Sequence, residues 1–125
     1  MDTVKRPRYR DYSGAACPVE GALELLGGKG KGMILYHLLD GPVRFNELKR
    51  RMGQITQRML TKQLRELEYV GLVHREVYPE IPPKVEYSLT DMGVSLKVIL
   101  LALKDWGESY ALPQLEKLQQ SADSA

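Results

Sequence analysis

Arg44-Phe-Asn-Glu-Leu-Lys-Arg-Arg-Met52, then Gly53-Gln-Ile55, then Thr56-Gln-Arg-Met-Leu-Thr-Lys-Gln-Leu-Arg-Glu-Leu-Glu-Tyr-Val-Gly71 is the stretch whose reading decides the fold. Phe45, Leu48 and Met52 recur three and four apart, the spacing of one face of a short helix. Arg44, Asn46, Lys49 and Arg50 lie away from that face. Gly53 to Ile55 reads as a tight turn. Thr56 suits an N-cap, because its hydroxyl can accept a backbone N–H that a first helical turn leaves unpaired. Behind it Leu60, Leu64, Leu67 and Val70 form one apolar stripe, and Gly71 supplies a C-terminal stop. The opposite face carries Gln57, Arg58, Thr61, Lys62 and Arg65. Two helices about a tight turn, the second apolar on one side and cationic on the other, predict a helix-turn-helix.

The flanks complete the pattern. Upstream, Cys17-Pro18 opens a helix that Gly27-Gly28 closes, with proline at a first helical position where its missing N–H is harmless. Met33-Ile-Leu-Tyr-His-Leu-Leu39 is a second apolar helix, stopped at Asp40-Gly41-Pro42. Downstream the period changes to two. Val73, Arg75 and Val77 alternate with His74, Glu76 and Tyr78, and Val85, Tyr87 and Leu89 with Lys84, Glu86 and Ser88. These predict two strands joined by a stiff tip, Tyr78-Pro-Glu-Ile-Pro-Pro83. Thr90-Asp91 caps a final helix whose apolar positions are Leu96, Ile99, Leu100, Leu103, Trp106 and Tyr110. Beyond Pro113, Leu115 and Leu118 add a short turn before a polar, frayed tail. The expected fold is α+β: a mainly helical winged helix-turn-helix with a two-stranded β-hairpin wing and terminal dimerisation helices. Residues 1–16 form a basic N-terminal arm, 17–112 the domain, and 113–125 an extension.

Charge is sorted along the chain. The total of +2 over 125 residues is uninformative by itself. Residues 44–65, however, hold seven cations against Glu47 alone, a net of +6, while residues 66–125 hold five positive and ten negative charges, a net of −5. A +6 block on the predicted helix-turn-helix points to a polyanion.

The second helix can enter a major groove about 12 Å wide. Thr56, Gln57, Arg58, Thr61 and Lys62 are the candidate base readers, with Arg58 matched to guanine, Gln57 to adenine and the Thr61 methyl to thymine. Arg44, Asn46, Lys49, Arg50 and Arg65, with Arg75 and Lys84 on the wing, are the candidate phosphate or minor-groove contacts. A local pairing of Arg65 with Glu66 or Glu68 is the competing reading for that residue. A winged helix whose basic face binds a protein partner is the alternative for the whole surface.

Other classes fit poorly. The longest uninterrupted apolar run, Val98 to Leu103, is six residues, far short of the roughly 20 that span a bilayer. No apolar stretch follows the charged N-terminus as a secretory signal would, so a cytoplasmic protein with no membrane partner is expected. His37 and His74 have no ligand-type spacing to another His, Cys or carboxylate, no catalytic triad or paired carboxylates stand out, and Gly27-Gly-Lys-Gly-Lys-Gly32 matches no phosphate-loop spacing. No enzyme, metal or cofactor is expected. Cys17, the one cysteine, sits at a helix N-terminus, which favours a thiolate, and is a candidate sensor of a small electrophile or oxidant. A buried, inert thiol is the competing reading. The run Val98 to Leu103 has no polar side, so Leu96, Ile99, Leu100, Leu103, Trp106 and Tyr110 predict a homodimer interface.

The ordered set Cys17-Pro-Val-Glu20, Leu26-Gly-Gly-Lys29, Leu39-Asp-Gly-Pro42, Arg44-Phe-Asn-Glu-Leu48, Leu60-Thr-Lys-Gln-Leu-Arg-Glu-Leu67, Gly71-Leu-Val73, Tyr78-Pro-Glu-Ile-Pro-Pro-Lys-Val-Glu-Tyr-Ser-Leu-Thr90 and Trp106-Gly107 resembles the HxlR-type family of bacterial transcriptional regulators. The resemblance implies a winged-helix homodimer that reads an operator, as repressor or activator, with several members responding to electrophiles or oxidants. One position departs from it: Gly30 stands where the family usually has an aromatic residue, typically tryptophan. A looser or shorter entry to the second helix is the expected consequence.

Overall fold

The computed structural model describes residues 17–28 and 30–124. The predicted basic arm, residues 1–16, lies outside the described residues, as do Lys29 and Ala125. The chain divides into two compact units, the first ending at Val94 and the second beginning at Ser95.

The first unit opens with α1 (Pro18–Leu26), carrying Cys17 at its N-cap and Pro18 at its first position. α2 (Lys31–His37) follows. It starts two residues before the apolar run that announced it. Gly30 adopts φ +93°, and a Cβ there would meet Met52 Cε at 3.2 Å and Ile55 Cδ1 at 3.3 Å. Two side chains from the helix-turn-helix thus lie close against the backbone at this position. Ile34 N donates to Gly30 O at 2.9 Å, so the first turn is fully formed.

Val43–Arg44 forms a short strand, β1, ahead of α3 (Phe45–Met52) and α4 (Gln57–Tyr69). The wing is β2 (Val73–Tyr78) and β3 (Lys84–Leu89), paired antiparallel from Val73↔Leu89 to Tyr78↔Lys84. β1 adds to the far side of β3 through Val43↔Tyr87 and Arg44↔Glu86. The sheet among the described residues is therefore three-stranded, in the order β1-β3-β2. A two-residue strand is too short to show an alternating pattern, which is why the sequence indicated only the hairpin.

Ile34, Leu35, Leu38, Leu48, Leu60, Leu64, Leu67 and Leu72 are fully buried and form the core beneath the helix-turn-helix. Each such burial contributes roughly 1.5–3 kcal/mol. The leucines predicted as the inner stripe of α4 supply three of these eight, so α4 is seated by the face that reading assigned to it.

The long helix expected after Thr90 is interrupted. Thr90 Oγ1 accepts from Gly93 N at 3.1 Å and caps α5 (Asp91–Val94), which is only one turn long. Gly93 lies against the Leu72 carbonyl, where a Cβ would stand 2.3 Å away, so this turn packs tightly on the sheet's foot.

The second unit holds α6 (Lys97–Trp106), a π-helical segment (Gly107–Ala111) and α7 (Leu112–Ser124). The short turn expected after Pro113 is a 13-residue helix instead. Pro113 occupies the second position of α7, within the first turn where a missing N–H is tolerated, and the wider π turn before it absorbs the ring.

Candidate nucleic-acid interface

Thr56 accepts a 3.0 Å hydrogen bond from Met59 N through Oγ1, as its N-cap reading required. That bond fixes the start of α4 and directs its first-turn side chains. Gln57, Arg58 and Lys62 are exposed and Thr61 is half-buried, on the side opposite Leu60, Leu64 and Leu67. No described carboxylate lies within ion-pair distance of Arg58 or Lys62. The helix N-terminus adds its own partial positive charge at this end. Two free cations, an amide and a methyl-bearing hydroxyl on one exposed face form a surface suited to base edges.

The cations on α3 are arranged differently. Arg50 donates from Nε to Glu47 Oε2 at 2.9 Å, and its Nη2 pairs with Oε1. Arg51 reaches the same carboxylate from Nε at 3.2 Å and donates from Nη1 to the His37 carbonyl at 3.3 Å. These hydrogen bonds, from Arg50 first and Arg51 second, hold the Glu47 carboxyl down to about 2. His37 is lowered by its burial and then by Arg51. Arg50, expected to be free for phosphate, is thus clamped by its own helix, while Arg51, which the sequence reading passed over, shares the clamp. Arg44 and Asn46 are exposed and Lys49 is half-buried, none with a described ion-pair partner.

On the wing, Lys84 Nζ sits 3.5 Å from Glu86 Oε2 and 4.6 Å from the centre of the Tyr78 ring. Tyr78 also donates its hydroxyl to Glu86 at 3.4 Å. Arg65 pairs with Glu68 at 3.4 Å, the local alternative weighed for it. Arg75 stands opposite Tyr87 in the β2–β3 register, and the Tyr87 hydroxyl is raised chiefly by burial, with Arg75 opposing, Glu68 adding and Arg65 opposing. Phe45 stacks beside Tyr87 with ring centroids 6.3 Å apart, joining the start of α3 to mid-wing. Ile81 is fully exposed at the tip. Of the predicted cations, Arg44, Lys49, Arg58 and Lys62 therefore stand without carboxylate partners among the described residues, whereas Arg50, Arg65 and Lys84 are paired.

Cys17 is exposed, not buried as its competing reading had it. In the second unit Ile99, Leu103, Trp106 and Tyr110 are exposed, and Val98 is 79% exposed. Leu96 is half-buried, and Leu100 is buried within its own chain, so Leu100 adds nothing to an exposed face. Among the described residues no three His, Cys, Asp or Glu side chains converge as a metal site. No described helix is long and apolar enough to cross a membrane.

Residues 25–115 match the family model described as HxlR-like helix-turn-helix. The HTH-type transcriptional regulator YdeP of Bacillus subtilis is 56% identical over 109 residues, covering 87% of this chain and 83% of YdeP. The redox regulator HypR, solved in its oxidised form, superposes with a TM-score of 0.71 at 61% identity, over 74% of this chain and 96% of HypR. The reduced transcriptional regulator YodB of B. subtilis superposes with a TM-score of 0.67 at 39% identity, over 79% of this chain and 98% of YodB.

Proposed function

The chain belongs to the HxlR-like helix-turn-helix family of DNA-binding transcriptional regulators, and from that premise we propose that it is a repressor acting as a homodimer on a pseudo-palindromic operator. The observation that carries the reading is the capped start of α4, where Gln57, Arg58 and Lys62 are exposed beside half-buried Thr61, with no described carboxylate against either cation. Arg58 and Gln57 read a guanine and an adenine through paired hydrogen bonds, and Thr61 supplies a methyl contact to thymine. Arg44 and Lys49 hold the backbone on one side of the groove, while Arg50, Arg65, Arg75 and Lys84 exchange their present partners for phosphates. The apolar side chains of the second unit join two copies, which sets the two reading helices one helical turn apart.

Cys17 is the proposed input. It is exposed at the N-cap of a nine-residue helix, where an oxidant or electrophile can reach it. HypR is described as a redox regulator, and YodB has been solved both reduced and after diamide treatment, so an oxidant or electrophile is the signal these relatives suggest for this chain.

Footprinting on the DNA upstream of the protein's own gene, repeated across a salt series, tests the reading. Two protected half-sites one turn apart are expected, with affinity falling steeply as salt rises. A flat salt response favours the protein-binding alternative. Transcription from the footprinted promoter rises when the protein is removed if it represses. Diamide weakens binding by the wild type and leaves Cys17→Ser unaffected; equal affinity in all four samples excludes the thiol as a sensor.

A further inference from the structure

Lys31, Gln63 and Glu66 form a buried polar cluster between the first turn of α2 and the middle of α4. Lys31 Nζ lies 3.1 Å from Glu66 Oε2, with the two side chains 6% and 12% exposed. Gln63 donates from Nε2 to Met59 Sδ at 3.3 Å, while its Oε1 is buried without a hydrogen-bond partner. The backbone of Gly28, at φ +121°, runs against both partners: a Cβ there would stand 3.3 Å from Lys31 Cδ and 3.5 Å from Gln63 Oε1. The chain is therefore folded closely around charges that it could have replaced with methyl groups.

Stability is a poor account of this cluster. A cation in the first turn of a helix opposes the helix dipole. Buried ion pairs commonly hold a fold no better than apolar side chains of the same volume. A buried carbonyl with no donor is a further cost. What the pair supplies and leucines do not is direction. Leu60, Leu64 and Leu67 fix how deeply α4 sits, but apolar burial is non-directional and constrains a small rotation about the helix axis less sharply than a hydrogen-bonded ion pair does. Met59, Gln63 and Glu66 run four and three apart along one flank of that leucine stripe. An ion pair on this flank resists rotation. A turn of α4 by about 20° carries a side-chain tip about 6 Å from the axis through about 2 Å. Base-edge hydrogen bonds tolerate far less than that.

We propose that the Lys31–Glu66 pair, with Gln63 beside it, is a positioning device that sets the rotation of α4 and so the discrimination exerted by Gln57, Arg58 and Thr61. This rests on the DNA-reading assignment above. Lys31 and Glu66 touch no base themselves; they act through the helix.

The test uses a duplex selected from a random pool by the wild-type full chain, with a scrambled duplex of the same length as competitor. The double variant Lys31→Met with Glu66→Leu is expected to keep its melting temperature, its affinity for the scrambled duplex and its salt slope. Its preference for the selected duplex falls about tenfold, the scale of one lost bidentate base contact. A merely structural role predicts the reverse: a lower melting temperature with the preference intact, and that outcome overturns the proposal. If the double variant does not fold, Glu66→Gln, which keeps the side chain's shape and loses its charge, is expected to lose at least threefold in preference. An unchanged preference in that variant also overturns the proposal. A wild-type chain that selects no duplex overturns the DNA reading and this proposal together, and the two failures are told apart by that wild-type arm.

Discussion

Glu47 governs how much of the basic face is available. It is the single acid in the +6 block, and it engages Arg50 and Arg51 at once. Residue spacing alone exposes this pairing to view, since Glu47 stands three and four positions before the arginines on one helix face. Such a partner is expected from the sequence for Arg65, and the structure shows one for Arg50 and Arg51 as well. Exposed pairs of this kind yield readily to a phosphate. Replacing Glu47→Gln frees both arginines, and the plot of log affinity against log salt steepens by about 0.9 for each cation newly engaged. Equal slopes for the two proteins would show that Glu47 does not limit the engagement of either arginine with DNA. The same residue has a pH signature. Its carboxyl is depressed from 4.5 to about 2, so its contribution to folding is complete above the unfolded value and is lost as pH falls through the folded one. The stability difference between wild type and Glu47→Gln, followed by urea unfolding, is expected to hold above pH 4.5 and close as pH approaches 2.

Among elements, α4 was the most legible and the second unit the least. The N-cap, the leucine stripe and the glycine stop of α4 are each local signals, and they agree. Thr56→Ala removes the 3.0 Å bond to Met59 N and leaves the first turn of α4 with one more unpaired donor. A loss of about 1 kcal/mol in unfolding free energy is expected, measured by urea titration. Base discrimination falls as well, because the frayed turn carries Gln57 and Arg58. A loss of stability with discrimination unchanged would mean the cap serves the fold only. β1 escaped notice because its two residues pair through Tyr87 and Glu86, a long-range partnership with no local period. The surroundings of Gly30 are hidden from the sequence for a related reason: a Cβ there would meet Met52 and Ile55, more than twenty positions away in sequence. Pro113 read as an end to helix, and would have been one in a uniform α-helix. The π segment over Gly107–Ala111 lets the chain continue, and no periodicity announces such a segment.

At the scale of the molecule, the basic segment and the largest run of exposed apolar side chains fall in different units. The +6 segment lies wholly in the first unit, with the core leucines directly beneath it. The second unit carries Val98, Ile99, Leu103, Trp106 and Tyr110 exposed to solvent in a single chain, and α7 extends the row with Leu115 and Leu118. Trp106 and Tyr110 already stack, their ring centroids 6.0 Å apart, so this apolar surface is ordered before any partner arrives. A monomer that left so many large apolar groups in water would be prone to associate. Covering them with the same surface of a second copy is the closed solution that the proposed homodimer would use. Leu103→Asp tests this without touching the core, since Leu103 is more than half exposed. Sedimentation of that variant at micromolar concentration is expected to give half the wild-type mass, with the circular dichroism of the first unit retained. Its affinity for a two-half-site duplex is expected to fall by about 100-fold or more, because each reading helix then binds without the effective concentration supplied by its twin. Its affinity for a single half-site stays at the wild-type value. A variant that remains dimeric, or a monomer that binds the full site as tightly as the wild type, would separate operator recognition from the second unit and leave the +6 segment sufficient by itself.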